Sequence, residues 1–141
     1  MKEALMTDTV KTLKAFLDAS PFVRACGMKI TDLSDDKNVL TMEMAPKPDM
    51  MRLDNDDMFH GGPVAALIDT AGDFVVAAAL GAPVPTINVR VDYFRPCQGT
   101  LRAVATARRM GRAVCVVDID LFGGDGKLCA VGRGTYSGKA S

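Results

Sequence analysis

Apolar residues recur with helical spacing over residues 4–19 of this 141-residue chain, and a Ser-Pro pair directly after them ends the stretch. We therefore predict an amphipathic helix within residues 1–20. Residues 28–33 and 38–44 then alternate between apolar and polar side chains on either side of a polar turn. This pattern is typical of a β-hairpin.

Alternation with a period of two returns in the second half of the chain, where it predicts four more strands. These strands cover residues 86–94, 100–108, 112–122 and 127–136. Glycine-containing turns join the last three of them, and turns this short connect antiparallel neighbours. The chain is therefore expected to end in an antiparallel sheet.

Between the two groups of strands, residues 63–80 are apolar almost all the way round a helix. Pro63 suits the first position of a helix, and Gly81 suits the position just after its end. A helix of this composition is normally buried. We therefore predict an α+β fold in which a curved antiparallel sheet wraps around a long central helix, formed as one domain by residues 1–141.

Composition and charge narrow the classes of function. The 17 basic and 17 acidic residues give no net charge, which argues against a protein that binds nucleic acid through a positive field. The longest apolar run, residues 64–80, contains two acidic residues and falls short of the ~20 residues that cross a bilayer. The first residues include acids and no apolar core, so we expect no secretory signal, no membrane association and a cytoplasmic location.

The cysteines favour reduced thiols over a metal site or disulfides. They are Cys26, Cys97, Cys115 and Cys129. None belongs to a Cys-x-x-Cys pair, and the chain has a single histidine, so the usual zinc ligand sets are not present. We expect neither a metal nor a cofactor.

Two carboxylates in the middle of the predicted central helix are the first candidates for chemistry. Asp69 and Asp73 would lie in a buried helix, where a carboxylate is costly unless it is paired or used. Because like charges four residues apart on a helix repel each other, we expect one of the two pKa values to be raised. His60 lies at the beginning of this helix. The residues alone leave Asp69 open as a catalytic or a structural acid, and they favour a structural or solvent-facing role for Asp73.

The segment 45–59 is a long polar connection that contains prolines and methionines. Connections of about 15 residues exceed the common length and are often functional lids. A solvated surface loop explains these residues equally well, and both interpretations stay open.

Three sequence motifs together resemble the hotdog-fold thioesterases of the phenylacetic-acid-degradation (PaaI-like) type. They are His60-Gly61-Gly62, Asp69-Thr70-Ala71 and Val91-Asp92-Tyr93-Phe94-Arg95-Pro96. The resemblance covers roughly residues 22–136. It implies a hotdog fold and an enzyme that hydrolyses an acyl-coenzyme A thioester without a metal or redox cofactor. We expect medium-chain or aromatic acyl groups.

The resemblance also implies roles for individual residues. The backbone N–H groups of Gly61 and His60 would hold the thioester oxygen at the positive end of the helix. Asp69 would act as nucleophile or as general base on water, and the Thr86 hydroxyl would steer that water. The predicted substrate-binding residues are Gly62, Asn55, Asn88, Arg95, Arg109, Gly111 and Arg112. The arginines are included because coenzyme A carries phosphates.

The loop before the histidine departs from the family pattern. Related sequences often carry an asparagine six residues before the histidine and a glycine three residues before it. Asp54 and Asp57 hold these positions here, and Asn55 lies next to the first of them. The altered loop motivates an alternative function, a hotdog protein that binds acyl-CoA or another apolar ligand without hydrolysing it.

The spacing of the two key residues predicts an oligomer. Eight residues separate Gly61 from Asp69, a rise of ~12 Å along a helix. One thioester group cannot contact both ends, so the two residues must come from different chains if both act. We therefore predict a homodimer with composite sites, and the family implies a dimer of dimers.

A hotdog dehydratase that uses His60 with an acid is the last alternative function.

Overall fold

The computed structural model describes the backbone of residues 2–140 and the side chains of residues 8–140. Its elements follow in chain order. They are α1 (Lys2–Ala19), α2 (Pro21–Cys26), β1 (Lys29–Leu33), β2 (Val39–Met44), a 3₁₀ turn (Pro48–Met50), α3 (Gly61–Leu80), β3 (Thr86–Tyr93), β4 (Leu101–Met110), β5 (Val114–Phe122) and β6 (Leu128–Ser137).

The strands form one antiparallel sheet in the order β1-β2-β4-β5-β6-β3. The helix α3 contacts β2, β3, β4, β5 and β6, so the sheet curves around it. This arrangement confirms the predicted α+β fold with a central helix. It also leaves β3 at one edge of the sheet, where one side of the strand has no neighbour within residues 2–140.

The core lies between α3 and the inner face of the sheet. Leu67, Ile68 and Val75 of α3 are fully buried. The strands β4 and β5 meet the helix with every second residue, as the alternating sequence predicts. The small side chains of Ala103 and Ala105 on β4 are also fully buried. Their size allows the helix to approach the sheet closely.

The helix α3 begins at Gly61, two residues earlier than predicted. The His60 side chain caps the helix by accepting a hydrogen bond from the Gly62 N–H. Pro63 therefore lies inside the first turn, where an N–H has no partner within the helix and none is missed. The other end is as predicted, since Gly81 takes the left-handed conformation with φ of 88°.

By length and composition α3 qualifies as a membrane-spanning helix, the one such segment among the described residues. More than half of its most apolar stretch is buried inside the protein. Its two carboxylates and its position on the sheet are those of a core helix.

Candidate active site

The predicted catalytic residues lie in two groups at opposite ends of β3. His60, Gly61 and Gly62 form the beginning of α3, near Tyr93. Asp69 lies two turns further along the helix, near Thr86. Within one chain the structure therefore brings Asp69 and Thr86 together but keeps both away from Gly61.

The first turn of α3 has one backbone N–H group without an acceptor among the described residues. The His60 N–H donates to the Met50 carbonyl at 2.8 Å, and the Gly62 N–H donates to His60 Nδ1 at 3.0 Å. Pro63 has no N–H. Among the described residues, the Gly61 N–H is therefore the donor of this turn that has no acceptor. The His60 N–H is already hydrogen-bonded, so Gly61 alone, rather than the predicted pair, can hold an oxygen here.

Tyr93 fixes the peptide that follows this donor. Its hydroxyl donates to the Gly61 carbonyl at 2.6 Å. Burial raises the pKa of Tyr93, so the hydroxyl stays protonated as a donor. A Cβ atom at Gly61 would lie 3.3 Å from this hydroxyl, which leaves little space for a side chain. The motif that contains Tyr93 does not by itself reveal this hydrogen bond.

A pocket of about 320 Å³ opens beside Gly61, between the start of α3 and the segment that follows β3. Its lining is mainly apolar and includes Phe59, Val64 and Phe94. Arg95, a predicted substrate-binding residue, also lies here. The pocket can take an apolar group whose polar end reaches the Gly61 N–H.

At the other end of β3, the Thr86 hydroxyl donates to Asp69 Oδ1 at 2.9 Å. Thr86 is opposite Tyr136 on β6, whereas Asn88 is opposite Thr135 and Val89 is opposite Gly134. The register shift between Thr86 and Asn88 is a β-bulge. Without the bulge, Thr86 and Val89 would point to opposite faces of the sheet. With it, both face α3, and this is how the hydroxyl reaches Asp69.

Tyr136 supports the same turn of α3 from the sheet. Its buried hydroxyl donates to the Asp69 carbonyl at 3.0 Å. Burial raises the pKa of Tyr136, and the nearby charges of Asp69 and Asp73 raise it further. The ring lies in a slot between Gly72 and Gly134, where a Cβ on either glycine would overlap it. Sequence reasoning missed this slot.

Asp73 lies one turn beyond Asp69. Its Oδ1 accepts a hydrogen bond from the Val84 N–H at 2.8 Å. Burial raises the pKa of Asp73 to about 6, and the charge of Asp69 adds to the shift. The pKa of Asp73 is therefore raised as expected, but burial is the main cause and the repulsion from Asp69 contributes less. The hydrogen bond to Val84 agrees with a structural role.

The other predicted residues are spread around these two groups. Arg109, Gly111 and Arg112 lie at the turn between β4 and β5, at the same end of the sheet as Tyr136 and Asp69. Asn88 is exposed and, by its pairing with Thr135, lies on the outer face of the sheet, away from Asp69 of its own chain.

Asn55 is exposed in the loop 45–59 and takes a left-handed conformation with φ of 59°. The loop encloses a pocket of about 790 Å³ that is lined by Asn55, Asp54 and Asp57, among others. It is joined to the rest of the site by the Met50 carbonyl bound to His60 and by Asp57, which accepts from Gln98 at 3.0 Å. Within residues 8–140, no three His, Cys, Asp or Glu side chains form a group that could hold a metal ion.

Comparisons with known proteins identify the family of this chain. Residues 57–130, just over half of the chain, match the family described as the thioesterase superfamily. A Halobacterium salinarum protein named "Putative esterase" is 32% identical over 139 residues, which cover 92% of this chain and 91% of that protein.

Solved structures point the same way. A protein from the thioesterase superfamily is 29% identical with a TM-score of 0.85, over 92% of this chain and 98% of that one. The E. coli PaaI protein from the phenylacetic acid degradation operon shares the fold, with 23% identity, a TM-score of 0.79 and 94% of each chain covered. The chain therefore belongs to the thioesterase superfamily and has the hotdog fold, and this membership supports thioester hydrolysis as its general activity.

Proposed function

We propose that this protein hydrolyses acyl-CoA thioesters with medium-chain or aromatic acyl groups, at sites that two copies of the chain build together. The observation that carries the proposal is the edge strand β3. It has Thr86, bound to Asp69, at one end and Tyr93, bound to Gly61, at the other.

Pairing of β3 with the same strand of a second copy would complete the site. Two identical antiparallel strands related by a two-fold axis place the beginning of one beside the end of the other. Gly61 and Tyr93 of one copy then lie beside Asp69 and Thr86 of the second. The ~12 Å that separates Gly61 from Asp69 along one helix is thereby bridged between chains.

The chemistry follows from these positions. The Gly61 N–H and the positive end of α3 stabilise negative charge on the thioester oxygen. Asp69 either removes a proton from a water that attacks the carbonyl carbon, or attacks that carbon itself and forms an anhydride that water then opens. In both routes the C–S bond breaks and coenzyme A leaves as its thiol. The apolar pocket beside Gly61 supports an apolar acyl group.

The test measures free thiol while purified protein is incubated with a panel of aliphatic and aromatic acyl-CoAs. We expect Asp69→Asn to lower turnover about a hundredfold or more with the fold intact, because the amide cannot act as base or nucleophile. Asp32→Asn on β1, which replaces an exposed carboxylate far along the sheet from β3, is the control. Near-normal turnover of Asp69→Asn would contradict the proposal.

A second experiment tests the shared site. Gly61→Val and Asp69→Asn each remove one half, so each variant alone should be inactive. Co-expressed in equal amounts, they form mixed dimers in which one of the two sites is intact, and we expect about a quarter of wild-type activity. Absence of any recovery in an assay that confirms mixed dimers would show that both residues act within one chain.

The non-catalytic alternative is favoured by the acidic residues Asp54 and Asp57, which line the pocket of the loop 45–59. It predicts that the protein binds acyl-CoAs in the same panel without thiol release. The dehydratase alternative needs a histidine that removes a proton from the substrate. Nδ1 of His60 already accepts from the Gly62 N–H, so the neutral ring carries its own proton on Nε2 and has no free lone pair.

A further inference from the structure

We propose that Asp73 is a positioning residue for thioester hydrolysis, holding the loop 81–85 so that Thr86 meets Asp69. The inference rests on the function proposed above. It assigns a task to a carboxylate that the reaction itself does not use.

The loop between α3 and β3 has few ways to attach itself to the helix. Its sequence is Gly81-Ala82-Pro83-Val84-Pro85, and the two prolines have no N–H. The Gly81 N–H closes the helix on the Ala77 carbonyl at 2.7 Å. The Val84 N–H is the donor that reaches the middle of α3, and its acceptor is Asp73.

The spacing of the two carboxylates matches the spacing of their partners. Asp69 and Asp73 are four residues apart on one helical face, a rise of ~6 Å. Val84 and Thr86 are two residues apart, and Val84 precedes a proline, which favours an extended backbone with ~6.6 Å between them. Two acceptors on the helix, Asp69 and Asp73, therefore hold two donors on the segment that leads into β3. The Ser137 N–H fixes the peptide between those donors by donating to the Pro85 carbonyl at 2.9 Å.

Asp73 is partly buried, and its acceptor oxygen, rather than the space its side chain fills, is what the site needs. An apolar side chain would fill the same space without the cost of desolvating a carboxylate. Without an acceptor, however, the buried Val84 N–H would lose its partner. The start of β3 would then be free to shift, and Thr86 would leave Asp69.

The experiment is a double-mutant cycle on acyl-CoA hydrolysis. Asp73→Leu keeps the branching at Cγ but removes the acceptor, whereas Asp73→Asn keeps both the size and an acceptor oxygen. We expect Asp73→Leu to lower kcat about tenfold with KM nearly unchanged, and Asp73→Asn to restore kcat to within about threefold of wild type. Thr86→Val should lower kcat at least as much. Because Asp73 acts through Thr86, adding Asp73→Leu to Thr86→Val should lower kcat by less than about twofold further.

Each outcome decides the matter. If the two losses in kcat multiply in the double variant while wild type is active, Asp73 does not act through Thr86. The inference then fails, and the proposed function stands. If wild type releases no thiol from any thioester, the proposed function fails and takes the inference with it. Should Asp73→Leu not fold, the comparison moves to Asp73→Ser, whose hydroxyl is too short to reach Val84. An active Asp73→Ser with wild-type kcat would then overturn the inference.

Discussion

Asp73 links the stability of the protein to pH. The folded-state pKa of about 6 lies some two units above the ordinary value of about 4 for an aspartate. Between these values the folded protein holds a proton that the unfolded chain has released. The free energy of unfolding contributed by this group therefore falls as the pH rises from about 4 to about 6, by on the order of 3 kcal/mol in total.

We predict that Asp73→Asn is more stable than wild type at pH 7 and that the advantage disappears near pH 4. The amide resembles the protonated acid and cannot ionise, so it avoids the cost of burying a charge at neutral pH. Urea unfolding of both proteins at one concentration, repeated from pH 4 to pH 7, measures the difference. A difference that stays constant over this range would show that Asp73 is not responsible.

At the residue scale, the sequence indicated which side chains matter better than how they meet. The motifs pointed to Gly61, Asp69 and, through the resemblance, Thr86. The contact between Thr86 and Asp69 depends on a bulge, and alternation of apolar residues cannot reveal a single extra residue. The capping role of His60 was also hidden, because histidine is not among the residues that commonly cap helices.

The packing of α3 against β6 depends on the absence of a side chain at two positions. Gly72 on the helix and Gly134 on the strand leave the space that Tyr136 fills. The Tyr136 hydroxyl uses this space to reach the Asp69 carbonyl. Helix and strand are thus held at the distance at which this hydrogen bond forms.

We predict that Gly72→Ala destabilises the protein even though alanine is the better helix former. The added methyl group overlaps the Tyr136 hydroxyl, and overpacking of a core costs about 1–3 kcal/mol, more than the gain of up to about 1 kcal/mol in helix propensity. Thermal unfolding should show a Tm several degrees lower. Ala79→Ser, at an exposed position of the same helix, is the control and should change Tm little. An unchanged or higher Tm for Gly72→Ala would mean that the slot can widen freely.

Element boundaries were predictable to the extent that they depend on local chemistry. The strand bounds agree within two residues, because each strand buries one face and shows it as alternation. The end of α3 agrees because a glycine is needed at Gly81. Its beginning differs because a side-chain cap, rather than Pro63, sets it.

For the whole molecule, the edge strand β3 is the surface through which we propose that two copies of the chain pair. An open edge presents unpaired N–H and C=O groups to other chains. Ile87 on this strand leaves 59% of its surface exposed, and Tyr93 at its other end is also exposed. Apolar side chains on an open edge favour pairing with a second copy.

We predict that Ile87→Asp prevents this pairing and abolishes hydrolysis without unfolding the chain. A carboxylate on each of two adjoining edges adds repulsion and desolvation where apolar contact is expected. Sedimentation would report a monomer with an unchanged circular dichroism spectrum. Leu53→Asp is a matched control, since Leu53 is 67% exposed but lies in the loop 45–59. An active dimer with Ile87→Asp would place the interface elsewhere.

The fold of the whole molecule was predictable because one buried helix and a run of short-turned strands permit few arrangements. The need for a second copy follows from the distance between Gly61 and Asp69 along a helix, which the sequence alone provides. The strand through which that copy is proposed to pair becomes apparent only from the order of the strands in the sheet. No sequence pattern states that β3 lies at an edge, since β3 precedes β4 in the chain but pairs with β6.

The bulge at the beginning of β3 also affects how related sequences should be aligned. In a relative that lacks the extra residue, the side chains that face the helix would occur at every second position counted back from the equivalent of Val89. Its hydroxyl would then occur at the position equivalent to Ile87, one place later than Thr86. An alignment without a gap would pair that hydroxyl with an isoleucine and conclude wrongly that the group had been lost.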